Sequence, residues 1–584
     1  MGVVSPRSSW VGCVAACLGV GLALSLGVAP PALAWSPSGN PVDTVGTNLV
    51  PLVVYNPHPM FLGPYFVWQG QSPPRVLVQR LNDDGTWPAF WSVNTPLGVS
   101  PVSGNQQSAA AAPDSQGGIF VVWQQTVAGD QDIWVQRVSA TRQLMMTATG
   151  RAVCSRPGAQ ISPAIVPVYT NQAVMVWEDQ RNGASQSDIY AQKVVAVSAD
   201  SAIFVWVPED GEVVCGATGI QRSPVAVGDG NGGVIVVWED LRVPGEVDLY
   251  AQRIDGDGNL LWGWSTDGTP VDTSLCEQLD PALIADGSGG ATVVWVDRRK
   301  CGEPSPDTDI WAAHLTASGG ISWTKPICTA SNDQRNPAIV SDDAGGALIA
   351  WEDTRSGASD IYCQRVDSSG DRASGCWRAD GVLICDAANS QLNPRLVTDG
   401  AQGALVTWQD ARSGTNQLYL QRVGASGTLS TGPVNGYQLC GVSAAQEAPA
   451  AARAADGAAI VGWQDGRGVI PGSVHIYAQK MGLPALTAVG ERTDVGWAPT
   501  HPNPFVTRAS IELTLATAQQ ATVEVFDVSG RRQCVLLHEW LPPGKRTVVW
   551  DGTTEDGAEA PIGLYFVRSR VGSLERREKL VRLR

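Results

Sequence analysis

The sequence predicts an all-β protein: an eight-bladed β-propeller closed by its own N-terminal strand, followed by a small C-terminal β-sandwich. Three observations carry this. A tryptophan recurs as Trp68, Trp123, Trp177, Trp238, Trp295, Trp351, Trp408 and Trp463, at spacings of 55, 54, 61, 57, 56, 57 and 55 residues, and so regular a period marks a repeat architecture. Each period reads as four short strands divided by Gly- and Asp-rich turns, without helical periodicity. The last period lacks a fourth strand, and the start of the repeat region supplies a copy of one.

The sixth unit is the clearest. A short apolar strand follows a proline, Pro337-Ala338-Ile339-Val340. After the turn Asp342 to Gly346, the second strand, Ala347 to Trp351, is continuously apolar, so both its faces should be buried. The loop Glu352-Asp353-Thr354-Arg355 follows. The third strand alternates, with Ile361, Cys363 and Arg365 on one face and Tyr362, Gln364 and Val366 on the other. A further turn leads to the fourth strand, Gly381 to Cys385.

The eighth unit stops after its third strand, His475 to Lys480. The stretch Trp35-Ser36-Pro37-Ser38-Gly39-Asn40-Pro41-Val42-Asp43-Thr44 repeats, at seven of ten positions, the fourth-strand region Trp264 to Thr273. The N-terminus should therefore complete the last unit, leaving no open sheet edge. Residues 35–482 form the propeller on this reading. Seven blades with the degenerate first unit displaced is the alternative. Units one and two lack the full loop, reading Trp68-Gln69-Gly70 and Trp123-Gln124-Gln125-Thr126. An insertion, Ser198 to Pro208, is assigned to unit four and should extend a hairpin beyond the ring. Residues 483–500 read as a linker. From His501 on, strand-like runs at Ser510 to Leu515, Ala521 to Asp527, Thr547 to Trp550 and Gly563 to Val567, punctuated by Gly530, Gly544, Gly552 and Gly557, suit a sandwich of immunoglobulin-like size. The basic ending (Arg576, Arg577, Lys579, Arg582, Arg584) reads as an exposed tail.

The 64 Gly and 22 Trp suit turns and strands better than helices. A formal net charge of -16 argues against nucleic acid, whose binders cluster Lys and Arg. Residues 1–34 read as a signal peptide: Arg7, an apolar run from Trp10 to Val28, then Ala32-Leu33-Ala34 as cleavage site. An uncleaved anchor, or a lipoprotein box ending at Cys17, are the rivals; no later segment reads as a membrane span. Export permits disulfides. Cys154, Cys215, Cys328, Cys385 and Cys440 share one repeat position and read as buried thiols. Cys363–Cys376 and Cys276–Cys301 are the two expected bridges.

The chemical candidates are mostly repeats. Asp179/Arg181, Asp240/Arg242, Asp297/Arg299, Asp353/Arg355, Asp410/Arg412 and Asp465/Arg467 recur at i, i+2. A catalytic site is unique, so six copies point to loop fixation first and a ligand-facing ring second. Gln79, Gln136, Gln192, Gln252, Gln364, Gln421 and Gln479 should satisfy buried hydrogen bonds between strands or blades. The recurring Trp should pack blade on blade. Asp/Gly turns such as Asp255 to Gly258 hint at calcium, although tight hairpins need the same residues. Five scattered His (His58, His314, His475, His501, His538) disfavour zinc or a Ser-His-Asp triad. No catalytic, metal or cofactor residue is assigned.

Two resemblances follow. The turns Asp255-Gly256-Asp257-Gly258-Asn259-Leu260-Leu261-Trp262 and Asn82-Asp83-Asp84-Gly85-Thr86-Trp87 loosely resemble the Asp-box of sialidase-like (BNR) propellers. The likeness implies that fold and carries no catalytic residue, since no Arg-Ile-Pro motif is present. Pro502-Asn503-Pro504-Phe505, Val525 to Arg531, Trp550-Asp551-Gly552, Gly557 and Gly563 to Phe566 resemble the FlgD-like immunoglobulin-like domains related to type IX secretion sorting domains. That implies a bacterial exported protein that meets secretion or cell-surface machinery through residues 501–584. The expected function is a non-catalytic, surface-associated propeller binding a protein or glycan on one face. The alternatives are a glycoside hydrolase or lyase with carboxylates in the channel, and a purely structural surface protein. Unrepeated polar residues at the channel mouth would favour the enzyme, and rotational equivalence of the blades would favour the others.

Overall fold

The computed structural model describes residues 35–583 except 72, 199–200, 262, 304–305, 431–432, 434, 469–472, 483–494, 498–499, 516–518, 542–543, 556 and 572–573. The expected signal peptide lies outside the described residues. All described elements are strands. No helix among them is long and apolar enough to cross a membrane.

Between Asn40 and Met481 the strands build eight sheets, seven of four strands and one of five. We number them by their tryptophans, from Trp68 in the first to Trp463 in the eighth. The first strand of each sheet packs against the first strands of both neighbouring sheets, from Asn48–Asn56 round to Gln446–Arg453 and back to Asn48–Asn56. This closed ring is a β-propeller. The second strands are its core: Ala347–Asp353 is buried at every residue, as a strand covered on both sides by neighbouring sheets must be.

The first strands begin three residues before the proline that the sequence reading took as their start. Each opens on a buried amide: Asn48, Gln106, Gln160, Gln221, Gln278, Gln334, Gln391 or Gln446. Two residues on, Val50, Ser108, Ser162, Ser223, Asp280, Asn336, Asn393 and Ala448 take φ between 32 and 55°. The register shifts there, as between Arg335 and Ala338. These are β-bulges; a proline is tolerated within them because the ladder is already interrupted. The opening amides also join the sheets. The backbone N–H of Gln334 donates to Thr308 O at 2.9 Å, that of Gln391 to Ser359 O at 2.7 Å and that of Gln446 to Asn416 O at 2.8 Å, each acceptor lying just before the preceding sheet's third strand.

The same bond spans the seam, from Asn48 N to Val474 O at 2.9 Å. There Asn40–Asp43 pairs antiparallel with His475–Met481, Asn40 opposite Ala478 and Pro41 opposite Tyr477. Val42 and Asp43 are buried. The first unit, although degenerate, forms a four-stranded sheet whose last strand is only Leu97–Gly98. The insertion belongs to the third sheet, not the fourth. Its strand Ser201–Phe204 pairs with the far end of Asp188–Ser198, before Glu212–Cys215 completes the sheet.

Cys276 and Cys301 form a disulfide with Cα atoms 6.4 Å apart. Cys363 and Cys376 do not. Cys363 lies in a strand interior opposite Val382, whereas the Cys376 N–H donates to Ser426 O in the next sheet's turn, which draws its loop away. The five equivalent cysteines are buried free thiols. Burial pushes Cys154, Cys215 and Cys385 up to about 12, and the thiolate is the reactive form. A disulfide-exchange reagent at pH 8 should therefore modify half-buried Cys376 in the native protein and reach these three only after denaturant is added. Rapid native labelling of Cys154 would contradict the packing.

The C-terminal residues build two further sheets. One orders Val495–Trp497, Ala509–Leu515 and Gly544–Trp550. The other orders Arg532–Leu541, Gln519–Asp527, Gly563–Val571 and Leu574–Arg582. Phe505, Trp550 and Tyr565 pack in their shared core. Two expectations fail here. Val495–Trp497, inside the expected linker, is a strand. The basic ending is not a tail through Arg582, because Arg576, Arg577, Lys579 and Arg582 lie on a strand paired with Gly563–Val571, with Leu580 buried between them.

Candidate functional site

The recurring Asp-x-Arg pair is a latch within each sheet. In the sixth, Asp353 Oδ2 accepts from the Trp351 indole N–H at 2.9 Å, and Oδ1 accepts from the Arg355 backbone N–H at 3.0 Å and Nε at 2.8 Å. Arg355 Nη2 donates to Asp380 O at 2.8 Å and touches Cys328 Sγ at 3.0 Å, and the guanidinium lies 3.9 Å from the Tyr362 ring centroid. Under the indole sits Gly381 at φ +86°, where a Cβ would lie 2.4 Å from Trp351 Cη2. Asp179/Arg181, Asp240/Arg242, Asp410/Arg412 and Asp465/Arg467 repeat the arrangement. In the fifth sheet Asp272 and Trp311 replace the thiol and the tyrosine around Arg299. Both carboxylate oxygens are spent inside the protein, so these pairs fix loops, as the sixfold recurrence suggested.

The third-strand glutamines hold the loops leading to the fourth strands: Gln136 Nε2 donates to Thr147 O at 2.8 Å and Gln252 Nε2 to Ser265 O at 2.8 Å. The recurring tryptophans pack against the preceding sheet, Trp351 against Val294, Ile310 and Cys328 among others. The hairpin carboxylates considered for calcium are committed as well. Asp342 Oδ1 caps the Ala344 and Gly346 N–H groups, and Oδ2 pairs with Arg365 at 2.7 Å. Asp114–Arg137, Asp229–Arg253 and Asp399–Arg422 match it. Among the described residues, no three His, Cys, Asp or Glu gather as metal ligands.

The repeat breaks where the first strands begin, around one end of the ring. There the residue before the latch Asp bridges to the next sheet's first strand in several sheets, the fifth, with Val296, being an exception. Glu239 accepts from Arg222 Nε at 2.8 Å and from the Asp280 N–H at 3.1 Å. Glu352 Oε1 accepts from Asn336 Nδ2 at 2.8 Å and the Asn393 N–H at 2.7 Å. Asn393 Nδ2 continues to Gln409 Oε1 at 2.7 Å, which also accepts from the Ala448 N–H at 2.8 Å. Glu178, Glu239 and Glu352 are buried. Burial raises the Glu178 carboxyl above its usual range, against the hydrogen bond from Gln180. One cation has no counterpart: Arg395 stands where the other first strands carry Ala110, Ala164, Ala282, Ala338 and Ala450, or Leu52 and Val225. Its Nη1 donates to Pro394 O at 2.9 Å; burial lowers its pKa, opposed by Glu352. Sequence reasoning passed over this girdle. The recurring Gln-x-(Ser/Asp/Asn)-Pro at most of the bulges was the available signal, and Arg395 its break.

The fifth sheet departs from the others elsewhere. His314 takes the place held by Arg137, Lys193, Arg253, Arg365, Arg422 and Lys480. Its Nε2 lies 3.1 Å from Asp286 Oδ2 and its Nδ1 2.7 Å from Ser322 Oγ. A Ser, a His and an Asp thus meet, although the five histidines are scattered along the sequence.

No family model and no curated protein matches the chain. Among solved structures, an ulvan lyase of polysaccharide lyase family PL25 aligns at a TM-score of 0.39 and 10% identity, over 76% of this chain and 96% of that one. A protein of unknown function from Dyadobacter fermentans gives 0.33 and 13%, over 56% and 96%. The α-L-arabinofuranosidase Arb93A from Fusarium graminearum gives 0.32 and 11%, over 56% and 96%. Likenesses this shallow assign neither activity nor residues.

Proposed function

We propose that this chain is an exported, eight-bladed propeller that engages a glycan at the channel mouth, with an immunoglobulin-like domain over residues 501–584 that meets secretion or cell-surface machinery. Eight sheets in a closed ring, the strand lent across the seam and the Asn48–Val474 bond support the blade count. Two sheets sharing one core support the sandwich. The Cys276–Cys301 bridge fits an oxidising compartment.

The observation that carries the glycan reading, bound or cleaved, is the break of rotational symmetry at Arg395, and such an unrepeated group favours an enzyme. Arg335, Asn336, Glu352 and Asn393 place carboxylate, amide and guanidinium groups together there, and Arg395 adds a second guanidinium at a position that the other sheets fill with Ala, Leu or Val. Sugar hydroxyls take paired hydrogen bonds from such groups, and a half-buried guanidinium adds selectivity for an acidic sugar. A second reading, glycan cleavage, draws on Glu178: a carboxyl raised by burial is suited to general-acid work.

A glycan array on the purified protein, with product release monitored, tests both. Binding of an acidic glycan that falls about tenfold or more in Arg395→Ala, the order of one charge-assisted hydrogen bond, is the expected result. Turnover lost in Glu178→Gln would establish the second reading. Absence of any glycan binding would overturn both.

A further inference from the structure

Two departures from the repeat meet on one imidazole. The first is His314 itself, at a position where every other sheet has Arg or Lys. The second is the fourth strand of that sheet, Ile321–Cys328, eight residues long against four in the sixth sheet's Val382–Cys385. The extra length brings Ser322 beside His314, at a register shift between His314 and Leu315. Asp286 is the ordinary hairpin aspartate. Its Oδ1 caps the Ser288 and Gly290 N–H groups, and its Oδ2 faces the imidazole instead of a guanidinium.

We propose that Ser322, His314 and Asp286 form a serine hydrolase site for carboxylic esters, independent of the glycan reading. The tautomer that satisfies both neighbours carries its proton on Nε2 and donates it to Asp286 Oδ2. That leaves the Nδ1 lone pair to accept from the Ser322 hydroxyl. The usual triad employs the two ring nitrogens the other way round, but either can serve as base once the other is held by a carboxylate. Trp323 stacks on the imidazole, with ring centroids 6.2 Å apart and planes 22° apart, and is itself pinned by Nε1 donating to Ser368 O at 3.0 Å. The base is thus largely shielded, with 19% of its side chain exposed, while Ser322 is exposed to solvent.

The reaction balances with water alone. Ser322 Oγ attacks the ester carbonyl carbon as its proton passes to His314 Nδ1. The C–O bond to the alcohol breaks, and the alcohol leaves with that proton, giving acyl-Ser322. Water then adds to the acyl carbon and yields a proton to Nδ1. The carboxylic acid departs as Ser322 Oγ recovers the proton. Asp286 stays ionised and orients the ring.

The full chain is treated with a fluorophosphonate probe, the modified peptide is mapped by mass spectrometry, and p-nitrophenyl acetate hydrolysis is followed in parallel. Phosphonylation at Ser322 is expected. His314→Arg restores the residue of the neighbouring sheets, so the melting profile should hold while labelling and hydrolysis fall by about 100-fold or more, the contribution of a positioned base. Ser322→Ala should abolish labelling at that peptide. No adduct at Ser322, or equal labelling in the His314→Arg variant, would overturn the proposal.

Discussion

Replacing Asp353 by alanine is expected to destabilise the propeller by about 3 kcal/mol, at the lower end of what losing one partner of a buried ion pair costs. The carboxylate is fully buried and serves three donors at once: the Trp351 indole, the Arg355 backbone N–H and the Arg355 guanidinium. Its removal strands all three. The estimate stays low because 22% of the Arg355 side chain remains exposed and water can partly replace the lost partner. Thermal or chemical unfolding measures it. The double variant Asp353→Ala/Arg355→Met should recover part of the loss, because an apolar side chain leaves no unpaired cation. A single substitution within about 0.5 kcal/mol of wild type would show that the latch is ornamental.

Deleting residues 35–43 should have the larger effect, roughly 5 kcal/mol from the burial of Val42 and the ladder bonds to the last sheet. Val42 is wholly buried, Gly39 sits against the Trp463 ring, and Ser38 O accepts from Arg467 Nη1 at 2.7 Å. Without them His475–Met481 becomes an open edge, a template for association. A lower melting temperature and concentration-dependent oligomers on size exclusion are expected. A synthetic peptide of residues 35–46 added in trans should reverse both. An unchanged, monomeric deletion variant would mean that the ring closes by other means.

The architecture was legible because it repeats. One tryptophan, one latch and one turn, seen eight or six times, average out the ambiguity of any single strand, and the matched stretches at Trp35 and Trp264 exposed the seam. Strand starts were misread because a proline suggests an edge or a beginning, whereas here it sits in a bulge behind a buried amide. The last strand was missed because charged residues on a half-exposed sheet look like solvent-facing loop, whereas the strand Arg532–Leu541 carried a readable signal in its apolar run Cys534 to Leu537. The site residues were harder for a different reason. Arg395 is one arginine among many until its ladder position is known. Ser322, His314 and Asp286 are brought together only by the register of three strands, and a one-residue slip would send Ser322 to the opposite face.

The seam also dictates an order of events. Ser38 and Arg467 are 429 residues apart in the chain, yet they meet in the finished ring. The strand made first is thus the last to find its partner. Throughout synthesis Asn40–Asp43 must wait unpaired while seven sheets assemble behind it. Closure is a single long-range step that no local folding can substitute for, and such contacts form slowly. The interval before closure is when this protein is most open to proteolysis and to association with its own copies.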